Sequence, residues 1–414
     1  MKRFAIAGLI ATAAFTAEAH QARTADFELM QAIPQNTEAL FQQTDIHATA
    51  TVWLRMIQQA RHTLDIGTFY IANQSGEAME PILNAIRDAA RRGVRVRILT
   101  DDMALSGSSD PRQLFADTPQ IVIRKISYRR ICGGVMHAKY MIVDAENIAL
   151  NSANWSWISL SQIHNIGVRI RNRSLAMTLL SVFDLDWTLA GNIHNTVNHA
   201  LTNNTDKRHW VTSLRPAQVR YGKETLLIHP AFSPVDMRPQ GTDSEISQML
   251  AAINSANHII RMQVMTFCGF KKYGAVGYWG ELYDAIVNAA QRGVQVKIIV
   301  ADWNNTAPAI DFMKALQLIP NLEVKISSIP PLPSRYIPYS RVEHEKYFVV
   351  DDDLSWITTS NWEWGYFYNT RNIALLINGQ QPARVLTALF EADWRGPYTQ
   401  TLEIDKTYRA PLHS

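Results

Sequence analysis

Apolar and polar positions alternate along this chain in two rhythms, and their order predicts the elements. In the first half, a helical segment from Trp53 runs into a strand-like stretch over 63–70. Ile82, Leu83, Ile86 and Ala90 then recur at the spacing of one helix face, and Gly93 reads as the cap that ends the helix. From Val94 to Ile98, apolar and polar residues alternate with the period of two of a half-buried strand. Strand, helix, strand is a βαβ unit, which implies a parallel pair with helices laid on a sheet. A polar loop over 101–110 leads to a further strand over 121–126. A basic, glycine-bearing loop over 129–134 then enters a hairpin over 135–154. A strand from Asn165 and a helix ending near Asp186 and Trp187 close the half. Residues 20–48 show neither rhythm and predict no element.

The second half replays this order. Ala289 to Ile298 repeats Ala89 to Ile98 at a shift of 200, and Asn372 to Ile377 echoes the strand at Asn165. Phe390, Asp393 and Trp394 repeat Phe183, Asp186 and Trp187 at a shift of 207. The expected fold is therefore α/β. Two tandem duplicated domains, each a mixed, largely parallel sheet flanked by helices, are related by a pseudo-twofold axis. The expected boundaries are an N-terminal segment at 20–48, a first domain at 49–195, a linker at 196–243, a second domain at 244–400 and a tail at 401–414. A motif contributed once per half places one shared site at their interface.

Composition narrows the address more than the chemistry. A chain of 414 residues with 47% hydrophobic content fits a globular protein of two ordinary domains. Lys2 and Arg3, an apolar run over 4–16 and the small-x-small triplet Ala17, Glu18, Ala19 read as a secretory leader cut after Ala19. That run is too short for a membrane span, and no later segment reaches the necessary length. The mature chain is expected to be secreted or periplasmic, with no transmembrane segment. Removing residues 1–19 takes away two positive charges and one negative, so the formal charge goes from +3 to +2. That is too near neutrality to argue for a nucleic acid on charge alone. Cys132 and Cys268 either pair in an oxidising compartment or stand as two buried thiols.

The chemistry concentrates in the hairpin. Alternate residues of a strand share a face, so His137 and Lys139 point the same way. Asp144 falls at the turn where the strand must stop, and the return delivers Ser152 and Asn154 toward the His/Lys end. An imidazole, an ammonium, a hydroxyl and a carboxamide together suit a phosphate. The set occurs twice. His344, Lys346, Asp351 and Asn361 repeat His137, Lys139, Asp144 and Asn154 at a shift of 207, with Thr359 at the place of Ser152. Either histidine alone is better explained as a core residue; the matched pair points to catalysis. Two histidines across one phosphate permit a two-step displacement through a phosphohistidine. Lys139, Lys346, Asn154 and Asn361 then stabilise the non-bridging oxygens. No metal or cofactor is expected, because protonated lysine is not a ligand and no His/Cys/Asp cluster with metal spacing surrounds the motif.

The His-x-Lys-x4-Asp pattern with its Ser/Thr-x-Asn tail resembles the signature of the phospholipase D superfamily. Within it, the chain is most similar to the lysosomal phospholipase D-like 5′ exonucleases of animals and their poxviral relatives. That likeness rests on Thr359 to Trp362 with Tyr366 and Phe367, on Val264 and Met265, on Leu64 to Tyr70, and on Ser152 to Trp157. It covers most of 50–395. The resemblance implies two phospholipase D-like domains and a metal-independent phosphodiesterase that trims single-stranded DNA or RNA from the 5′ end. The alternative is a phospholipase D or phosphatidyltransferase acting on phospholipid. A third reading, an inactive phosphate- or nucleic-acid-binding module, is opposed by the two complete motifs. No long exposed amphipathic helix or polybasic run suggests a membrane-docking device.

The resemblance also implies an orienting role for Asp144 and Asp351, which the residues alone explain as turn formers. It implies that His137 is the nucleophile and His344 the acid/base. Separately, the basic residues Arg129 and Arg130 near the first copy are expected to help keep the His137 imidazole neutral. There are departures. Asn151 stands where the family has Gly, and Thr358 and Thr359 replace Gly-Ser. Asn165 and Asn372 stand where the superfamily often has Glu. They are expected to orient the histidines while stabilising an imidazolium less, which touches the rate more than the reaction class. Among the aromatics just past Asn154 and Asn361, Trp157 and Trp362 are candidates for stacking bases. The same residue types also build cores and acyl-binding walls.

Overall fold

A computed structural model describes residues 26–103, 108–191, 210–271 and 276–411. The expected leader at 1–19, the stretch 196–209 of the expected linker and the tail end at 412–414 lie outside the described residues.

The apolar rhythm becomes helix where it should. Along Glu80–Arg91, with Pro81 in its first turn, Ile82, Leu83, Ile86, Ala89 and Ala90 form one buried face. Gly93 follows at φ 93°, and Gly293 takes the same left-handed conformation after the matching helix Gly280–Gln291. Only glycine adopts that conformation without steric cost, so this pair of residues ends both helices at the same point.

The first half contributes β1 (Thr63–Thr68), β2 (Arg95–Asp101), β3 (Ile121–Ile126), β4 (Tyr140–Val143), β5 (Asn147–Asn151) and β6 (Asn165–Arg171). The second contributes β7 (Ile259–Val264), β8 (Gln295–Ala301), β9 (Leu322–Ser327), β10 (Lys346–Val350), β11 (Leu354–Thr358) and β12 (Asn372–Asn378). The order β6-β5-β4-β1-β2-β3 recurs as β12-β11-β10-β7-β8-β9. Both sheets are mixed. β1, β2 and β3 run parallel, as do β7, β8 and β9, while the motif hairpins and β6 and β12 join antiparallel. The parallel joints fall where the chain crosses over between strands, which a tight turn does not permit.

Two stretches differ from the sequence reading. Phe27–Ala32, inside the segment that predicted no element, is a strand antiparallel to β6. All six of its residues are buried, so it lacks the polar alternation that marks a half-exposed strand. Part of the expected linker is also sheet. Glu224–Ser233 pairs along β12, and Ala217–Tyr221 pairs with it in turn. Residues 217–233 therefore belong to the second sheet, at the edge that Phe27–Ala32 occupies in the first.

The cores explain why the halves dock. Helices Thr49–Gln59 and Glu80–Arg91 cover one face of the first sheet with their own core, and the second sheet has a matching one. The opposite faces share a single core. It runs from Ile166, Val168 and Phe183 of the first half to Ile373, Leu375 and Phe390 of the second. Burial of this apolar surface is the main attraction between the halves. Among the described residues, no helix is long and apolar enough to cross a membrane.

Candidate active site

The motif hairpins form, but both histidines sit just ahead of them, because their backbones pair with the opposite half. His137 N–H donates to Arg371 O (3.0 Å), and Arg371 N–H donates to Val135 O (2.9 Å). Correspondingly, His344 N–H donates to His164 O (2.9 Å), and His164 N–H donates to Val342 O (3.1 Å). These two short parallel bridges bring the motif copies face to face.

The side chains cross in the same way. His344 Nδ1 lies 2.7 Å from Asn165 Oδ1, and His137 Nδ1 lies 3.0 Å from Asn372 Oδ1. Each asparagine therefore orients the other half's histidine. The amide orientation follows from its neighbours. Asn165 Nδ2 donates to Ser159 O and Ile163 O, and Asn372 Nδ2 donates to Tyr366 O, so Oδ1 is left to accept. An accepting oxygen fixes the proton on Nδ1 and leaves Nε2 with its lone pair. Ser152 Oγ and Thr359 Oγ1 donate to the same two oxygens at 2.9 Å each. These hydroxyls brace the asparagines, rather than pointing at a ligand as expected.

The site is charged and dry. His137 and His344 are each 6% exposed, and Lys139 and Lys346 are fully buried. Both ammonium groups donate to the carbonyl two residues back, His137 O and His344 O. Burial, and then the charges of Lys139 and Lys346, hold both imidazoles well below their ordinary proton affinity. Both are therefore neutral and nucleophilic. Burial likewise lowers both lysines; Lys346 also opposes Lys139, while Glu343 and Glu345 support Lys346. Arg129 and Arg130 are exposed on the short helix Tyr128–Cys132. Burial and the lysines, rather than the arginines, suppress the proton on His137.

Asn361 Nδ2 donates to the Tyr366 hydroxyl (3.1 Å), while the buried Oδ1 atoms of Asn154 and Asn361 have no hydrogen-bond partner in the protein. Other expected residues do not meet the site. Asp144 accepts from the backbone N–H groups of Arg61, His62 and Thr63, and Asp351 from those of Asn257, His258 and Ile259. Both lie in the turn at the far end of the hairpin at positive φ, with their carboxylates pinning the starts of β1 and β7. They brace the sheet and touch neither histidine. Trp362 is fully buried against Phe267 and Phe348, so its ring is closed to a base. Trp157 is half-buried, with the Arg335 guanidinium 5.6 Å over its ring. Neither cysteine is in a disulfide, and burial pushes the Cys132 thiol up to about 11.

Three contributions were not singled out as site residues in the sequence reading. Tyr366, named there only among the aromatics of the motif, packs edge-on to His137 with ring centres 4.9 Å apart. Asp101 accepts the Met136 N–H at 2.6 Å and so fixes the residue before His137. It ends β2, the end of a parallel strand where α/β sheets gather ligands. The third is a buried group of His164, Glu343 and Glu345 beside His344. Among the described residues, these are donors of the kind and closeness that can hold a metal ion. No sequence spacing announces it, since His164 and Glu343 are joined only by the docking of the halves.

A pair of neutral histidines facing each other over two buried lysines defines an enzyme that handles phosphodiesters. The comparisons agree. The family described as "Cardiolipin synthase, PLD-like domain" matches residues 53–187 and 249–394. The chain belongs to that family, and is a phosphodiesterase of the phospholipase D superfamily. It is 28% identical to "5'-3' exonuclease PLD3" of Rattus norvegicus over 413 residues, covering 91% of this chain and 80% of that one. It is also 28% identical to "Phospholipase D Z" of Dictyostelium discoideum over 375 residues, covering 85% and 86%. Among solved structures, phosphatidylserine synthase of Haemophilus influenzae Rd KW20 matches with a TM-score of 0.59 at 16% identity, over 85% of each chain. That likeness concerns the fold.

Proposed function

We propose that this protein is an exported, metal-independent phosphodiesterase that works through a phosphohistidine, acting as a 5′ exonuclease on single-stranded DNA or RNA. The observation that carries the reading is the crossed pairing of His137 with Asn372 and of His344 with Asn165, which occupies Nδ1 of each ring in the half opposite its own motif. In the first step His137 Nε2 bonds to phosphorus and the bond to the leaving oxygen breaks, with His344 giving that oxygen a proton. The negative phosphate between the lysines raises the proton affinity of His344, so the acid forms when the substrate arrives. In the second step His344 takes a proton from water, the water oxygen attacks phosphorus, and the P–N bond returns its electron pair to His137. Lys139, Lys346, Asn154 and Asn361 stabilise the non-bridging oxygens. Ammonium groups and amide-bonded imidazoles meet the phosphate in place of metal ligands.

The choice of nucleic acid over lipid rests on the relatives named exonucleases, 80% of whose length the match covers. The half-buried Trp157 offers an aromatic face that suits an unpaired base and an acyl chain alike, so it does not enter that choice. The relative named phospholipase D supports the second reading, a lipid phosphodiester. Purified mature protein incubated with single-stranded DNA, RNA and phosphatidylcholine, with and without EDTA, separates the two. The expected result is loss of nucleotides from the 5′ end of single strands, undiminished by EDTA. Efficient hydrolysis of phosphatidylcholine with none of oligonucleotides would promote the lipid reading. EDTA inhibition reversed by a divalent cation would sink the metal-free mechanism.

A further inference from the structure

The His344 side of the site backs onto an ionic group that the phosphate chemistry does not use. His164 is fully buried, with Nδ1 3.0 Å from Glu343 Oε2 and Nε2 3.4 Å from Glu345 Oε1. Asp393 Oδ2 lies 3.9 Å from the same Nδ1, and Phe41 stacks on the ring at 4.2 Å. Nδ1 is hydrogen-bonded to Glu343, while Nε2 lies near Glu345 without a hydrogen-bond partner. This is the setting of an imidazolium beside Glu343, whereas a metal ion needs one of those nitrogens as a lone pair. Burial opposes a charge on the ring, but the two glutamates outweigh it and raise His164 to about 10. A proton on the ring is thus favoured among these donors, while burial pushes the Glu345 carboxyl well above its ordinary range.

Its position in the chain gives the group a purpose. Glu343 and Glu345 flank His344, and Lys346 comes next. His164 precedes Asn165, whose Oδ1 holds His344 Nδ1. The backbone bonds between 164 and 342–344 run through the same few residues. The ionic contacts therefore tie the segment carrying His344 and Lys346 to the half that supplies their orienting amide. Both oxygens of Glu345 lack any hydrogen-bond donor although the residue is fully buried. Apolar side chains of similar volume would join the halves as well or better, so stability alone does not account for three buried carboxylates here.

We propose that the clasp of His164 between Glu343 and Glu345 is the positioning device for His344 and Lys346, and so serves the water step of the reaction. This rests on the phosphohistidine reading only for its kinetic signature. The test uses bis(4-nitrophenyl) phosphate, whose good leaving group needs no acid, so attack reads as a burst of nitrophenol and water attack as the steady rate. In His164→Ala the steady rate is expected to fall about 100-fold, as for a misplaced catalytic group, with the burst retained and KM falling in step, so that kcat/KM is little changed. His164→Lys restores the charge and is expected to recover most of that loss. If His164→Ala fails to fold, Glu343→Gln/Glu345→Gln decides by the same readouts.

A burst that falls in step with the steady rate, with no recovery by His164→Lys, would reduce the clasp to a structural strut and overturn the proposal. One equivalent of a divalent metal in the wild-type protein by mass spectrometry, lost in His164→Ala, would overturn it in favour of a metal centre. If no form shows a burst but His164→Lys still restores the rate lost in His164→Ala, the clasp stands and the phosphohistidine reading falls.

Discussion

The two halves agree in almost everything that faces the phosphate and differ in what stands behind it. The strand order, the helix-ending glycines, the lysine contacts and the crossed asparagines match. Behind His137, Arg371 holds Asp186 through two nitrogens at 2.8 Å and also donates to the carbonyls of Ser233 and Met237. Behind His344, the matching positions hold His164 and Asp393, with two glutamates added. The lining differs too. Gly67, opposite Tyr140, leaves space for that ring, and a Cβ there would meet Tyr140 Cε1 at 2.4 Å. Its counterpart Gln263, opposite Tyr347, accepts from the Tyr347 hydroxyl at 3.0 Å and donates to Asp393 at 2.8 Å. One backing is a guanidinium of fixed charge with its donors satisfied. The other is a titratable ring among carboxylates, where burial pushes Asp393 up to about 7. The side chains proposed to meet the phosphate match between the halves while their supports differ, which fits two histidines proposed to do different work.

The largest expected effect asks whether they do. His137→Ala should abolish turnover, a loss of about 10⁴-fold or more, even with a good leaving group. His344→Ala should lose turnover as far on an ordinary substrate. On a substrate with a good leaving group, however, it should still be attacked and then accumulate a phosphoenzyme, because the water step lacks its base. Labelled substrate, trapping without acid and peptide mapping should place the label on the peptide carrying His137. A label on the peptide carrying His344, found in His137→Ala, would reverse the roles.

A smaller effect probes the amides. His137 is held below its ordinary proton affinity, so the neutral nucleophile persists as pH falls and the acid limb of kcat/KM should lie below pH 6.5. Asn372→Asp puts a carboxylate at the 3.0 Å contact and favours the imidazolium. The nucleophile then protonates at higher pH, and the acid limb should move upward by about one to three pH units. Asn165→Asp makes the same change at His344, where a readier proton helps the acid, so its limb should move while the rate on poor leaving groups rises. Identical profiles for the two variants would mean that the halves are functionally equivalent.

How much of this was legible in the sequence depends on the range of the interaction. Gly93 and Gly293, the apolar face at Ile82, Leu83 and Ile86, and the motif spacing are local, so the duplication and the α/β class could be read directly. Phe27–Ala32 was missed because a strand buried along its whole length shows no polar alternation, and Glu224–Ser233, which lies between Ala217–Tyr221 and β12, because its run over 228–233 is buried on both faces. The crossing of Asn165 to His344 joins residues 179 apart, a pairing that docking alone creates. The His164 clasp was hidden for the same reason. Trp362 matches Trp155 at the shift of 207, and both are closed in the core, whereas Trp157 matches Trp364, and both are partly open; residue type alone did not separate the two places.

The smallest expected effect concerns Asp144 and Asp351, where the family signature and the geometry point different ways. Each carboxylate accepts three backbone N–H groups at the start of β1 or β7, at 3.0, 2.7 and 2.8 Å for Asp144 and 3.0, 2.8 and 2.9 Å for Asp351. Five residues of strand separate each from its motif lysine, about 17 Å at 3.4 Å per residue. Asp144→Ala and Asp351→Ala leave those donors to water. Each should cost about 1–2 kcal/mol of stability, as the loss of a capping side chain does, with kcat nearly unchanged. For Asp351 the sign with pH follows from its environment. Burial raises its proton affinity, but the three N–H groups outweigh it and hold the carboxyl below its ordinary value of 3.8. The stabilisation is therefore complete above that value and disappears as pH falls through the lowered one. Urea unfolding at pH 7 should separate wild type from Asp351→Ala, and the difference should shrink toward pH 2. A fall in kcat without a fall in stability would show that these carboxylates reach the histidines after all, and would restore the catalytic role their place in the motif suggests.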